Sequence, residues 1–452
     1  DAVPDCEQAT LARLRGFWQA MQTLHASDSI SAYHDRSDGG LIVTVREMAF
    51  ASRCGLDIEL DSLLSGHKNA AELTTQLQAL FNEELGAVVQ VRPHALDYFF
   101  EVIAENGLTQ CVHRVAKVRQ SMRIRVSGND EVLMQKPLTY WLRLWSETSY
   151  RMQALRDNPM CAQQEYDQLL GEKDPGLSPR IDFARKAPMI NRQKPAKVAI
   201  LREQGVNGQL EMAAAFDRAG FEAIDVHMSD LLSKRTTLDQ FNGLVACGGF
   251  SFGDVLGAGR GWAKMVLMSQ LADDFERFFH NTSRFALGVC NGCQMLSQLA
   301  PLIPGAQAWP RFTRNQSEQF EARLSVVTIK ESPSIWLQSM AGSRLLIASS
   351  HGEGRAEFSD QTNLQLALDQ NVCMQYVDNF GAPTQQFPAN PNGSHQGITA
   401  LTNADGRIMV MMPHPERVFR QVLHSWAPAQ WQHDDGPWMQ MFYNAKHWSQ
   451  QC

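Results

Sequence analysis

Apolar and polar positions divide this chain into two regions with different rhythms. In the first, residues 41–51 repeat apolar side chains at helical spacing after the turn Ser37-Asp38-Gly39-Gly40. Residues 56–60 (LDIEL) alternate strictly and predict a strand, as does the GAVVQV run at 86–91. A helix is expected over 96–105, after Pro93. Together these predict an α+β layer, an antiparallel-type sheet backed by helices. Residues 140–156 read as a helix stopped by Asn158-Pro159, and Pro- and charge-rich segments follow at 171–180 and 184–197. From there short apolar runs at 198–201, 223–226, 244–246 and 285–289 alternate with helical stretches at 207–219, 262–279 and 292–299. Continuous apolar strands between amphipathic helices predict a doubly wound, mostly parallel α/β sheet, which 345–348 and 408–412 would extend. The expected division is an α+β domain over 1–126, a connector over 127–195 and the α/β domain over 196–452.

Composition narrows the class. With 452 residues the chain exceeds a single ordinary core, and 44% hydrophobic with 20% charged residues marks a globular protein. A net charge of −7 gives no electrostatic reason to expect nucleic acid, and no apolar run is long enough to span a bilayer. Nine cysteines without a disulfide-like rhythm suit a reducing compartment, so cytoplasm is the expected location. The chain begins with Asp1, which reads as a fragment or a processed product.

The sharpest chemical feature is Gly288-Val289-Cys290-Asn291-Gly292, where a buried strand runs straight into a helix. A tight strand-turn-helix needs small flanking residues, and it holds a side chain at the helix N-terminus, where backbone N–H groups favour thiolate over thiol. Taken alone, Cys290 could also be a buried core cysteine, and Cys290-x-x-Cys293 also fits a redox or half-zinc pair. No second Cys or His pair lies at zinc-ligand spacing, and Cys293 is expected to pack inward.

Two further motifs bear on Cys290. After the apolar strand at 408–412 comes Pro413-His414-Pro415-Glu416; residues two apart in extended chain share a side, so Glu416 can orient the His414 imidazole. Alone, His414 could be a surface residue at a strand end. Residues 247–260 form a glycine-rich loop after a strand, without the Lys-Ser/Thr ending of a phosphate loop. Such bare backbone can donate N–H groups to an oxyanion, or can be a simple flexible turn.

Taken together, GVCNGCQ (288–294), CGGFSFGD (247–254) and MPHPER (412–417) resemble the triad-type, class I glutamine amidotransferases. REQGVNG (202–208), SSHGEGR (349–355) and NPNGS (390–394) resemble the glutaminase domain of the large single-chain phosphoribosylformylglycinamidine synthase family. HDRSDGGL (34–41) is similar to that family's second synthetase half, in the domain related to aminoimidazole ribonucleotide synthetase, and 145–159 resembles its connector. The resemblance implies Cys290 as nucleophile, His414 as general acid/base and Glu416 as its orienting carboxylate. It implies an oxyanion hole near Gly249, Phe250 and Asn291. It also implies a magnesium ligand at Asp35 and a nucleotide contact at Ser37, although an Asp in a turn is ordinarily a turn former. The implied activity is ammonia supply from L-glutamine, without a cofactor for that step. ATP and Mg2+ would serve the conversion of formylglycinamide ribonucleotide to the amidine, with the rest of the synthetase polypeptide as partner. Because segments like the first synthetase half and the ATP-binding subdomains are missing here, the isolated chain is expected to hydrolyse glutamine poorly and to make no amidine. The competing readings are a glutaminase for another synthetase, and a non-catalytic interaction module on the same fold.

Overall fold

The structure, a computed structural model, describes residues 8–67, 69–188 and 195–451. They form two compact units, one of the described residues up to Ser149 with Asp167–Glu172, the other of Tyr150–Tyr166 with the described residues from Lys173 onward.

The first unit begins with α1 (Gln8–Ala26), β1 (Ile30–Asp35), α2 (Gly40–Ser52) and β2 (Gly55–Glu59). Two short helices follow, α3 (Asp61–Leu64) and α4 (Leu73–Phe81), then β3 (Ala87–Val91) and α5 (Leu96–Glu105). Strands β4 (Ala116–Arg119), β5 (Arg123–Gly128) and β6 (Glu131–Pro137) complete it, with the first part of α6 (Leu138–Arg156). The strands make two sheets rather than one: β1 pairs antiparallel with β3, and the other four run in the order β4-β2-β5-β6. The central β2–β5 pair is parallel, because the long excursion through α3 to β4 returns the chain in the same direction. Strand β6 pairs with β5, so this unit's sheet continues beyond residue 126. Asn158-Pro159 separates two helices, α6 and α7 (Pro159–Gln168). Proline suits the first helical position, and the Asn158 side chain caps it, accepting from the N–H of Met160 (3.0 Å) and Cys161 (3.3 Å). Part of the expected connector, 189–194, lies outside the described residues.

The second unit is built on a nine-stranded sheet, with two further strands forming a separate antiparallel pair. In chain order it holds β7 (Lys197–Arg202), α8 (Gln209–Arg218), β8 (Glu222–His227), α9 (Met228–Leu232), β9 (Gly243–Ala246), α10 (Arg260–Leu267), α11 (Leu271–His280), β10 (Phe285–Val289) and α12 (Asn291–Gln298). Then come β11 (Arg311–Thr313), β12 (Glu321–Ile329), β13 (Arg344–His351), β14 (Arg355–Glu357), α13 (Gln361–Gln370), β15 (Val372–Tyr376), β16 (Ile398–Thr402), β17 (Ile408–Met411) and α14 (Met439–Ser449). The large sheet has the order β13-β12-β15-β16-β17-β10-β9-β7-β8, and β11 and β14 form the separate pair. From β17 to β8 all neighbours are parallel; from β17 outward to β13 all are antiparallel. Strands β9, β10 and β17 are buried at every position, which is why they read as continuous apolar runs. The helical stretch at 262–279 is two helices. Ser269 breaks it, because its hydroxyl accepts from Leu271 N–H (3.3 Å) and donates to the Val266 carbonyl (3.2 Å), offering the backbone a local alternative.

One buried cation ties the base of this sheet together. Arg407, just before β17, donates to the carbonyls of Asn281 (2.8 Å) and Arg284 (2.6 Å) through Nη1 and of Phe279 (3.2 Å) through Nη2. It thereby satisfies the Phe279 carbonyl in the last turn of α11 and carbonyls of the turn that follows, and holds β17 beside β10. Replacing Arg407 by Met is expected to lower unfolding free energy by about 3 kcal/mol in urea denaturation. A loss within experimental error would show these bonds to be dispensable.

Candidate active site

Because β9, β10 and β17 are adjacent and parallel, their C-terminal ends open on one edge of the sheet. Each end carries one of the three motifs: the glycine loop follows β9, Cys290 follows β10 and His414 follows β17. Sheet topology alone therefore brings together segments far apart in sequence.

Cys290 has φ 53° and ψ −110°, a backbone conformation rare for a side-chain-bearing residue. Its N–H is held by the Met411 carbonyl at 2.9 Å, and its carbonyl accepts from Gln294 in the first turn of α12. Both flanking glycines are sterically required. A Cβ at Gly292 would stand 1.9 Å from the Ala246 carbonyl oxygen, and one at Gly288 would stand 2.7 Å from the Gly292 carbonyl oxygen. The thiol is nearly buried and points to the Ser350 carbonyl at 3.6 Å. Cys293 is fully buried, and burial pushes its thiol well above the usual range. Every described cysteine is free, so Cys290 and Cys293 form no disulfide.

His414 and Glu416 are both buried, and Nδ1 of the ring lies 2.6 Å from Glu416 Oε1. This contact orients the ring, with Nδ1 toward the carboxylate and Nε2 free of any hydrogen bond. A Cβ at Gly248 would meet His414 Cε1 at 2.7 Å and Cys290 Cβ at 3.4 Å, so imidazole and nucleophile bear on the same bare backbone atom. Burial lowers the pKa of His414, but the negative charges of Glu416 and Cys290 outweigh it and raise it to about 10. The site thus favours the imidazolium. His351, also buried, is driven the other way, to about 3, by burial and by the charge on His414.

The glycine loop is braced from two sides. The REQGVNG segment holds it through Asn207 and Gly208 N–H on the Gly248 carbonyl (3.2 and 3.0 Å) and Phe252 N–H on the Gln204 carbonyl (2.8 Å). Phe250 N–H also donates to the Gly205 carbonyl at 2.9 Å, so it is engaged and is not a free donor for an oxyanion. That expectation falls away for Phe250, whereas Gly249, at φ 149°, and Asn291, at the first position of α12, keep N–H groups outside any helical ladder. On the other side the buried Asn291 side chain accepts from Ser251 N–H (3.2 Å) and donates to Asp254 Oδ1 (3.0 Å). This clamp was not foreseen from sequence. Neither was the SSHGEGR segment's part, which supplies the Ser350 carbonyl beside the thiol and Glu353, whose Oε2 receives Ala258 N–H at 3.0 Å. The juxtaposition of a strand end with a glycine-containing turn was the available signal.

Asp35 and Ser37 lie in the first unit, exposed at the end of β1. One Asp35 oxygen accepts from Tyr33 Oη at 2.5 Å, and the Ser37 hydroxyl donates to the Asp35 carbonyl at 3.2 Å. Among the described residues no three His, Cys, Asp or Glu side chains cluster as metal ligands. Asp35 alone cannot complete a six-oxygen Mg2+ shell; phosphate and water oxygens would have to supply the rest.

Chemically, the second unit offers a nucleophile at a helix N-terminus, an imidazolium oriented by a buried carboxylate, and backbone donors nearby. Such an arrangement can perform acyl transfer through a thioester. Residues 195–449 match the CobB/CobQ-like glutamine amidotransferase domain, and residues 4–129 match the C-terminal domain of AIR synthase related proteins. Among solved structures, PurLQS from Thermotoga maritima is 22% identical, with 56% of this chain and 98% of that chain covered and a TM-score of 0.42. A glutamine amidotransferase from T. maritima is 13% identical, covering 49% of this chain and 77% of that one, with a TM-score of 0.31. PurL of T. maritima, complexed with ATP, is 19% identical over 29% of this chain; the chain spans 21% of that protein's length, with a TM-score of 0.24. No described helix is long and apolar enough to cross a membrane.

Two outcomes are expected. Gly292→Ala should cost about 1–3 kcal/mol in urea denaturation and slow alkylation of Cys290, because the added methyl must displace β9 or the elbow. Unaltered alkylation would show the elbow to be tolerant. For His414, the raised pKa contributes stability that is fully present below the ordinary value of 6.5 and is lost as pH rises through about 10. In Glu416→Gln the larger of the two raising charges is gone, so that decline should shrink and move to lower pH in the pH profile of unfolding; an unchanged decline would assign it to other groups.

Proposed function

Because the chain belongs to the CobB/CobQ-like glutamine amidotransferase domain family, we propose that Cys290, His414 and Glu416 hydrolyse the side-chain amide of L-glutamine. The observation that carries this reading is a strained cysteine elbow facing a buried His–Glu pair, all on one sheet edge. The Cys290 thiolate attacks the amide carbon. The oxyanion accepts N–H bonds from Gly249 and Asn291. His414, held as imidazolium, gives its proton to the departing nitrogen, so the C–N bond breaks and ammonia leaves behind a glutamyl thioester. Water then adds to the thioester, with the neutral imidazole taking its proton, and glutamate and thiolate are released. Glu416 fixes the ring and stabilises its cation throughout.

The finer reading places this ammonia in purine biosynthesis. There it would serve the ATP- and Mg2+-dependent conversion of formylglycinamide ribonucleotide to the amidine, in a phosphoribosylformylglycinamidine synthase acting in the cytoplasm. The pairing of the amidotransferase domain with an AIR synthase related domain in one chain favours it over a glutaminase for another synthetase. Asp35 and Ser37 would contribute to such a nucleotide site only together with ligands from outside their turn, and the rest of a synthetase would be the partner.

Glutamate release from glutamine tests the first step. Cys290→Ala should reduce it to background, and Glu416→Ala should slow it by about a hundredfold or more while Cys290 stays accessible to alkylation. Persistent hydrolysis in Cys290→Ala would remove Cys290 from the mechanism, and unchanged turnover in Glu416→Ala would remove Glu416.

A further inference from the structure

A second site lies at the other end of α12. Helix α10 carries Arg260 and Lys264 one turn apart, on one face. With Arg311 at the start of β11 and Gln298 at the end of α12, they line a solvent-open pocket of about 260 Å3 beside Leu256 and Phe312, and all three cations are exposed. No carboxylate lines it. Among the described residues none of the three cations has an ion pair, whereas Arg202, Arg218, Arg284 and Arg407 in the same unit are each paired with aspartate. In a chain of net charge −7, three cations lining one pocket without a carboxylate among its lining residues make it locally electropositive. Like charges four apart on a helix repel, and the end of α12 supplies only about half a unit of negative charge.

We infer that this cavity is an anion site for a small ligand bearing one or two phosphoryl groups. Arg260 and Arg311 supply planar forks that match phosphate oxygens, Lys264 adds a point charge, and Gln298 adds a neutral donor. The volume falls below the roughly 300–1,000 Å3 of pockets for larger ligands, so it suits a phosphate or diphosphate group with a short apolar portion against Leu256 and Phe312. Arg260 is partly preorganised. Its Cδ and Nε lie 3.0 Å from where a Cβ on Gly257 would stand, and Gly257 has φ 96°, so the side-chain stem crosses a place that only glycine leaves open. The cavity is separate from the catalytic edge, because the eight residues of α12 put about 12 Å between its two ends.

Titration calorimetry of the whole chain with pyrophosphate, without divalent cations, tests this. Saturable one-to-one binding with a Kd of about 1 mM or tighter at low salt is expected. The double variant K264Q/R311Q should weaken it at least about tenfold while retaining glutamine hydrolysis, which reports that the variant is folded. Citrate, a carboxylate anion of similar charge, should bind at least about tenfold more weakly than pyrophosphate. Absence of saturable binding, equal affinity in the folded double variant, or equal affinity for citrate would overturn the assignment.

Discussion

The left-handed backbone of Cys290 persists only because everything around it is fixed. A residue with a side chain at φ 53° carries strain of the order of 1–3 kcal/mol. The Met411 carbonyl holds its N–H, Gln294 N–H holds its carbonyl, and Gly288 and Gly292 allow β9, β10 and α12 to close on it. The strain projects the thiol out of the strand direction and across the end of the helix. Without such close approach, the same residue would continue β10 and bury its sulfur in the core.

The second constraint is charge in a dry place. A buried carboxylate and a buried imidazole are each unfavourable alone. Placed 2.6 Å apart they hold the ring in one orientation, and the balance settles on the protonated form. His351, nearby but without a carboxylate, is driven neutral by burial together with the charge on His414. One charged histidine beside one neutral histidine follows from the position of Glu416, two residues after His414, and from the fully buried β17 that delivers both.

Much of this was legible in the sequence, for identifiable reasons. Parallel central strands are apolar wherever they are fully buried, so residues 198–201 of β7 and all of β9, β10 and β17 announced themselves, and tight turns demand glycine, so the elbow did too. The antiparallel strands β12, β15 and β16 were harder to pick out, because β12 mixes polar residues into its apolar run and Gln375 and Thr399 are buried polar positions within β15 and β16. The break at Ser269 was hidden because both helices keep the same apolar period across it. Phe250 was misread as a donor because motif position does not reveal that the Gly205 carbonyl has already taken its N–H. Asn291 was expected to act through its backbone alone, since nothing in a linear pattern tells where a side-chain amide points.

That amide ties two kinetic requirements to one another. Asn291 follows the nucleophile directly, and its side chain grips Ser251 and Asp254, so the helix that presents the sulfur and the loop that contains Gly249 are riveted together. The loop on the far side of this rivet turns through three consecutive left-handed residues, Phe252, Gly253 and Asp254, a shape that backbone does not hold unaided. The two bonds of Asn291 therefore hold the loop and the start of α12 as one piece, so the distance between attacking sulfur and receiving N–H groups is set by a side chain that need not itself touch the substrate.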